Sequence, residues 1–172
     1  MRIEMGATTH SDSFSSHAIP HNISSGSNHQ NLINSAFQFD GTSSYISANI
    51  PGIVKDKNPW TIAYWYKRNG ATTYDPHFCF DLTATKGICI RGNNFERGDG
   101  TTNYDKAING VNFRDNNWHH VALTYDGTNV RIFDNGVLKD TIVAPSAGFG
   151  TTNTIYFGKF WAGYGNALIE NI

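Results

Sequence analysis

The stretch from Trp118 to Ile142, WHHVALTYDGTNVRIFDNGVLKDTI, constrains the fold more than any other part of the chain. It reads as three strands joined by two tight turns. Asp126-Gly127 and Asn135-Gly136 carry the turn signals, because such dipeptides accept the positive φ of a type I′ turn. Two-residue turns at both places set Leu123 opposite Val130, Val121 opposite Ile132 and Asp134 opposite Val137. Cross-strand partners share a sheet face, so Val121, Leu123, Val130, Ile132 and Val137 fall on one side. Trp118, His120, Ala122, Phe133 and Leu138 fall on the other, with Arg131 opposite Asp140. Apolar groups on both faces suit strands in the middle of a sandwich, with something lying over the second face.

The remaining segments follow the same strand-and-turn grammar. Phe37, Phe39, Tyr45 and Ile46 bracket a turn-like Asp40-Gly41-Thr42-Ser43-Ser44. From Trp60 to Lys67, Trp60, Ile62, Tyr64 and Tyr66 alternate with Thr61, Ala63 and Trp65, which predicts an interior strand. Phe78 to Ile90 predicts a hairpin turning around Thr85-Lys86-Gly87. Val111 to Phe113 and Ile155 to Gly158 read as short strands. Gly92 to Asn109, Pro145 to Thr154 and Phe160 to Asn166 read as loops, the first long enough to be functional or disordered. No window repeats apolar residues at helical spacing for three turns. Aromatics at 13% and 17 glycines favour strands and turns as well.

Trp118-His119-His120-Val121-Ala122, Thr124-Tyr125-Asp126-Gly127, Val130-Arg131-Ile132-Phe133 and Asn135-Gly136 together resemble the laminin-G-like group of concanavalin A-like lectin/glucanase jelly rolls. Phe39-Asp40-Gly41 with Tyr45-Ile46 is similar to the first core strand of that group, and Trp60-Thr61-Ile62-Ala63-Tyr64-Trp65 to a second. The resemblance spans roughly residues 36 to 172. It implies an all-β fold, a single jelly-roll β-sandwich of two antiparallel sheets over residues 35–172. Residues 1–34 are expected to form a polar leader, flexible or laid on the surface. Leu168-Ile169-Glu170-Asn171-Ile172 resembles the start of a last strand that normally continues, so truncation or a domain boundary in a longer polypeptide is expected there.

Several chemistries are excluded by what the chain lacks. Net charge is −1, without the basic stripe of a nucleic-acid binder. No apolar run approaches the roughly 20 residues that span a membrane as a helix. The start, MRIEMGATTH, has no apolar signal-peptide core. The resembling superfamily includes retaining glucanases, which carry a Glu-x-Asp-x-Glu strand. Only Glu4, Glu96 and Glu170 occur here, and Glu96 near Asp99 reads as a solvated loop pair. No Gly-x-Ser-x-Gly elbow, phosphate loop or zinc spacing is present. His119 and His120 are adjacent and so point to opposite faces. His10, His17, His21 and His29 are too irregularly spaced for a metal site. Cys79 and Cys89 are read as two buried thiols; a disulfide is the alternative, and would imply an oxidising compartment.

What remains is a binding surface for a glycan or glycoprotein, with an assembly domain of a particle surface as the alternative. Sugar recognition sets aromatic faces against pyranose C–H groups and gives the hydroxyls to amides and carboxylates. The predicted loops supply Tyr74, His77, Asn94, Phe95 and Arg97, then Asp99, Tyr104, Trp161 and Tyr164, with Phe149 and Phe160 nearby. An extracellular or virion-surface location is expected. The resemblance also raises calcium as a cofactor: if the first and last strands lie side by side, Asp40 approaches Glu170, and loop carbonyls complete a hard-cation site.

Overall fold

Strands whose side chains alternate between apolar and polar can bury their apolar half only against a second layer. The computed structural model of the chain, which describes residues 10–11, 17–51, 58–82, 86–99, 103–144, 149 and 152–172, meets that demand with a two-layer antiparallel β-sandwich. The strands run β1 (His10–Ser11), β2 (His17–His21), β3 (Ser24–Gly26), β4 (Ala36–Asp40), β5 (Tyr45–Asn49), β6 (Trp60–Arg68), β7 (Pro76–Phe80) and β8 (Lys86–Arg91). They continue with β9 (Asn94–Asp99), β10 (Asn103–Ala107), β11 (His119–Tyr125), β12 (Asn129–Asp134), β13 (Val137–Val143), β14 (Thr154–Phe157), β15 (Lys159–Phe160), β16 (Gly163–Tyr164) and β17 (Asn166–Glu170). No helix occurs among the described residues.

One sheet has the order β1-β2-β5-β14-β7-β8-β9-β10 and the other β13-β12-β11-β6-β17-β4-β3. Their inner faces meet in one core. Phe39, Tyr64, Tyr66, Phe78, Phe80, Val121, Leu123, Val130 and Ile132 are all buried there. Trp60 meets Phe80 and Phe149 edge-on, at 5.3 and 5.6 Å between ring centroids. β6 is interior, between β11 and β17, as its rings on both faces predict.

The register of the organising strands differs instructively from the sequence reading. Leu123 pairs with Ile132 and Tyr125 with Val130, a shift of two residues. The cause is Asp126. Its carboxylate accepts from the backbone N–H of Thr128 (2.9 Å) and Asn129 (2.8 Å), which makes Asp126 the first residue of the turn rather than a central one. A shift of two preserves every face assignment. Asn135 and Gly136 form the expected two-residue turn, with φ of 50° and 79° and Asp134 opposite Val137. Val137 lies past the core and is 58% exposed. Between β12 and β13 a bulge changes the register, so Asp140 faces Ile132 and Arg131 faces Thr141. That single extra residue turns Asp140 inward, where Lys106 of β10 donates to both its oxygens at 2.7 and 2.6 Å and ties the edges of the two sheets together.

Other readings are corrected too. Gly92 to Asn109 is not one loop: β9 and β10 form a hairpin at the sheet edge, with Phe95 turned into the core. Val111 to Phe113 is not a strand, although Phe113 is buried and donates its N–H to Asn93 Oδ1 at 2.8 Å. Phe160 to Asn166 contains the small β15–β16 hairpin. Cys79 and Cys89 are not thiols: they sit directly opposite across β7 and β8, Cα atoms 4.2 Å apart, and are joined by a disulfide. The described part of the first 34 residues, expected as a flexible or surface-laid leader, adds strands at the sheet edges: β2 lies beside β5 and β3 beside β4. The segment after β3 lays His29 on Trp65, ring centroids 4.0 Å apart and stacked, which covers the second face of the organising strands.

Replacing Leu123 by Ala is expected to cost about 2–5 kcal/mol in denaturant unfolding, as for other packed core leucines. Gly136→Val is expected to destabilise as well, because Gly136 has a φ of +79° that a β-branched residue resists. A cost below about 0.5 kcal/mol for Leu123→Ala would contradict its core position.

Candidate functional site

The period-two alternation that fills the core also decides what faces outward. On β5, Ile46 points into the core and Tyr45 out; on β14, Ile155 and Phe157 point in and Tyr156 out. These half-buried tyrosines share the outer face of the eight-stranded sheet. Tyr45 lies 6.3 Å from Tyr156 and 6.3 Å from Tyr164 between ring centroids. His21 of β2 stacks on Tyr45 at 4.0 Å. Lys159 of β15 holds its Nζ 4.1 Å from the Tyr45 centroid, 5.8 Å from Tyr156 and 5.7 Å from Tyr164. Burial first, then Asp81 and Tyr45, push the Tyr156 phenol up, so it remains a hydrogen-bond donor.

A second ring group stands further along the same face. Phe160 packs on the Cys79–Cys89 disulfide together with Tyr74, whose ring is 5.2 Å away. Trp161 is 5.5 Å from Phe160 and 52% exposed. The Arg91 guanidinium lies 5.6 Å from the Phe160 centroid and 5.9 Å from that of Tyr74. Its Nε donates to Glu96 at 2.6 Å and an Nη to Asp105, while Asn94 donates to the other Asp105 oxygen at 2.8 Å. Rings, amide, guanidinium and carboxylates therefore alternate on rigid strands.

The β15–β16 hairpin joins the two groups, and one glycine seats it. Gly158 has a φ of +72°, and a Cβ there would lie 2.2 Å from the Phe39 ring, so only glycine lets the chain turn out of β14 this close to the core. The Gly158 N–H donates to the His77 carbonyl at 3.0 Å, and Gly165 donates to the Gly158 carbonyl at 2.8 Å.

The residues nominated from sequence do not form one site. Tyr74, Asn94, Trp161 and Tyr164 reach this outer face. His77 and Phe95 are fully buried and leave the surface set. His77 stacks on Tyr66 at 3.5 Å and shares a hydrogen bond of 3.2 Å with the Tyr64 hydroxyl, and burial, then His119 and Arg114, push its imidazole well below the ordinary range. Arg97 and Tyr104 face each other, guanidinium 4.8 Å from the ring, on the core side of β9 and β10, away from Tyr74 and Trp161. Phe149 is buried against Tyr125. The Asp99 side chain, like the turn residue Thr85, lies outside the described residues. Sequence reasoning missed Tyr45, Tyr156, Lys159 and Arg91, having read the tyrosines only as strand residues. Their signal was there: each tyrosine alternates with isoleucine, so one of the pair must face out.

Asp40 and Glu170 do not fit a shared calcium site. β4 and β17 do lie side by side, but antiparallel, with Asp40 opposite Asn166 and Glu170 at the far end of the ladder. Four residues at about 3.3 Å each separate them along the strand. Glu170 accepts from the backbone N–H of His29 at 3.2 Å and contacts the His29 ring. Asp40 accepts from the N–H groups of Thr42 (2.8 Å), Ser43 (2.8 Å) and Ser44 (3.0 Å) and from the Ser43 hydroxyl (2.9 Å). Burial alone would push its carboxyl up, but those donors outweigh it and hold the group well below its ordinary 3.8. Among the described residues no cluster of three or more His, Cys, Asp or Glu could hold a metal.

A family model described as the concanavalin A-like lectin/glucanases superfamily matches residues 40–171. No curated protein matches the sequence. Among solved structures, the receptor-binding domain of botulinum neurotoxin C/D mosaic serotype superposes with a TM-score of 0.66 at 14% identity, over 92% of this chain and 42% of that one. The botulinum neurotoxin serotype D ligand-binding domain in complex with N-acetylneuraminic acid gives 0.64 at 15% identity, over 92% and 42%. Domain 4 of AbnA, a GH43 extracellular arabinanase from Geobacillus stearothermophilus, in complex with arabinotriose, gives 0.63 at 22% identity, over 88% and 80%. The chain thus spans less than half the length of the toxin domains, and at these identities the likeness is one of fold.

A carboxyl held lower in the folded than in the unfolded chain adds stability that is complete above the unfolded value and fades as pH falls toward the folded one. Asp40→Asn is therefore expected to lower the thermal midpoint at neutral pH, with the gap to wild type narrowing from about pH 4 downward. Equal stability of the two proteins at neutral pH would remove Asp40 as the turn's anchor.

Proposed function

The chain belongs to the concanavalin A-like lectin/glucanase superfamily, and from that premise we propose that it is a non-catalytic recognition module binding glycans through the outer face of its eight-stranded sheet. One observation carries this: Tyr45, Tyr156, Tyr164 and Trp161 are gathered on that face with Arg91, Asn94 and Asp105 among them, and buried Phe160 packs behind Trp161. Ring faces suit the C–H-rich side of pyranoses, and the polar groups between them suit hydroxyls. The sugars in complex with two structural neighbours, N-acetylneuraminic acid and arabinotriose, support the class of ligand without fixing its identity. The non-catalytic reading rests on the outer carboxylates. Glu96 and Asp105 face each other across β9 and β10, but Arg91 engages one Glu96 oxygen, and Arg91 and Asn94 engage both oxygens of Asp105.

The module is proposed to act at an extracellular or particle surface as part of a longer polypeptide. The Cys79–Cys89 disulfide supports an oxidising compartment. A second reading, assembly rather than sugar binding, is favoured by edge strand β13, which exposes Val137, Leu138 and Val143 by 58, 50 and 64%.

A glycan array of the whole chain should give reproducible hits, and Tyr156→Ala should weaken them about tenfold while leaving the fold intact, the scale of one lost stacking contact. A featureless array together with oligomers in light scattering that Leu138→Lys dissolves would replace the sugar reading with the assembly one.

A further inference from the structure

Resting on the glycan reading, we infer that the ligand of this face carries a carboxylate, and that Lys159 is the residue that receives it. Lys159 differs from Arg91, the other cation packed on the rings of this face; Arg97 also rests on a ring, that of Tyr104, but on the core side of β9 and β10. Arg91 is paired with Glu96 and Asp105, Arg68 and Arg114 share Asp75, and Lys106 holds Asp140. Among the described residues no carboxylate forms an ion pair with Lys159; its ammonium rests on Tyr45, Tyr156 and Tyr164. Three ring faces replace part of the water around the charge and fix its position, yet they accept no conventional hydrogen bond. An ammonium has three donors and no acceptor, so a pre-positioned one is best satisfied by an anion.

The same face limits how much negative charge the ligand brings. At its other end Glu96 and Asp105 add two carboxylates around one guanidinium, and Asp105 is among the more exposed of the site's polar groups. A densely sulfated chain would meet repulsion there and would need a stripe of cations, which a net charge of −1 does not supply. The ligand that fits is asymmetric: one carboxylated sugar at the tyrosine–Lys159 end and neutral sugar rings toward exposed Trp161.

The test compares carboxylated glycans, both uronate and sialylated, with their methyl esters, which differ only in that charge, on an array that also holds sulfated polysaccharides. The wild-type chain should bind one acid at least about tenfold better than its ester. Added salt should erode the preference, Lys159→Met should abolish it and Lys159→Arg should keep it, with thermal melts confirming that both variants fold. Equal binding of acids and esters, or an acid preference that survives Lys159→Met, would overturn the inference while leaving the glycan reading intact. Preference for sulfated chains would also overturn it. A chain that binds no glycan on the array would remove both readings.

Discussion

Packing one continuous, ring-rich core between two antiparallel sheets is the constraint on which the rest of this molecule depends. Phe39, Tyr64, Tyr66, Phe78, Phe80 and Phe157 are fully or almost fully buried, and each belongs to a strand that has a second face to place somewhere. Because a strand alternates strictly, every inward ring obliges its neighbours to point away. The outer tyrosines of β5 and β14 are a consequence of the inward isoleucines beside them. Core and binding face are therefore two sides of the same strands, which gives the face the rigidity of the core.

That coupling explains why some errors of register matter and others do not. The β11–β12 turn is displaced by Asp126, which captures two backbone N–H groups with its carboxylate, yet a displacement of two residues leaves Val121, Leu123, Val130 and Ile132 buried. The bulge between β12 and β13 adds one residue, and one residue is enough to turn Asp140 from the outer face to the inner one. Its pairing with Lys106 makes that inward carboxylate tolerable at the edge, where β10 and β13 meet.

Polar segments contribute more than their composition suggests. β2 and β3 lie in a stretch with little apolar content, yet each joins a sheet through backbone hydrogen bonds, which any sequence without proline at the wrong place can make. The link between β3 and β4 carries His29 onto Trp65 and Glu170, covering a tryptophan that would otherwise stand open. His21, from the same stretch, stacks on Tyr45 and so helps to build the candidate face. The disulfide serves that face too, as the floor under Phe160.

The fold class, the interior place of β6, the buried side of β11 and β12 and the Asn135-Gly136 turn were determined by the sequence itself, because alternation and turn chemistry act between residues close along the chain. The family resemblance carried by Trp118-His119-His120 and its neighbours agreed with them. What only the tertiary structure decided was which side chains from distant segments meet. It removed His77 and Phe95 into the core, sent Arg97 and Tyr104 to the other side, put Asp40 and Glu170 at opposite ends of one ladder and brought Tyr45, Tyr156, Tyr164 and Lys159 together. Such meetings depend on strand order and on antiparallel direction, and those are settled by how the whole core packs, not by any short stretch of sequence.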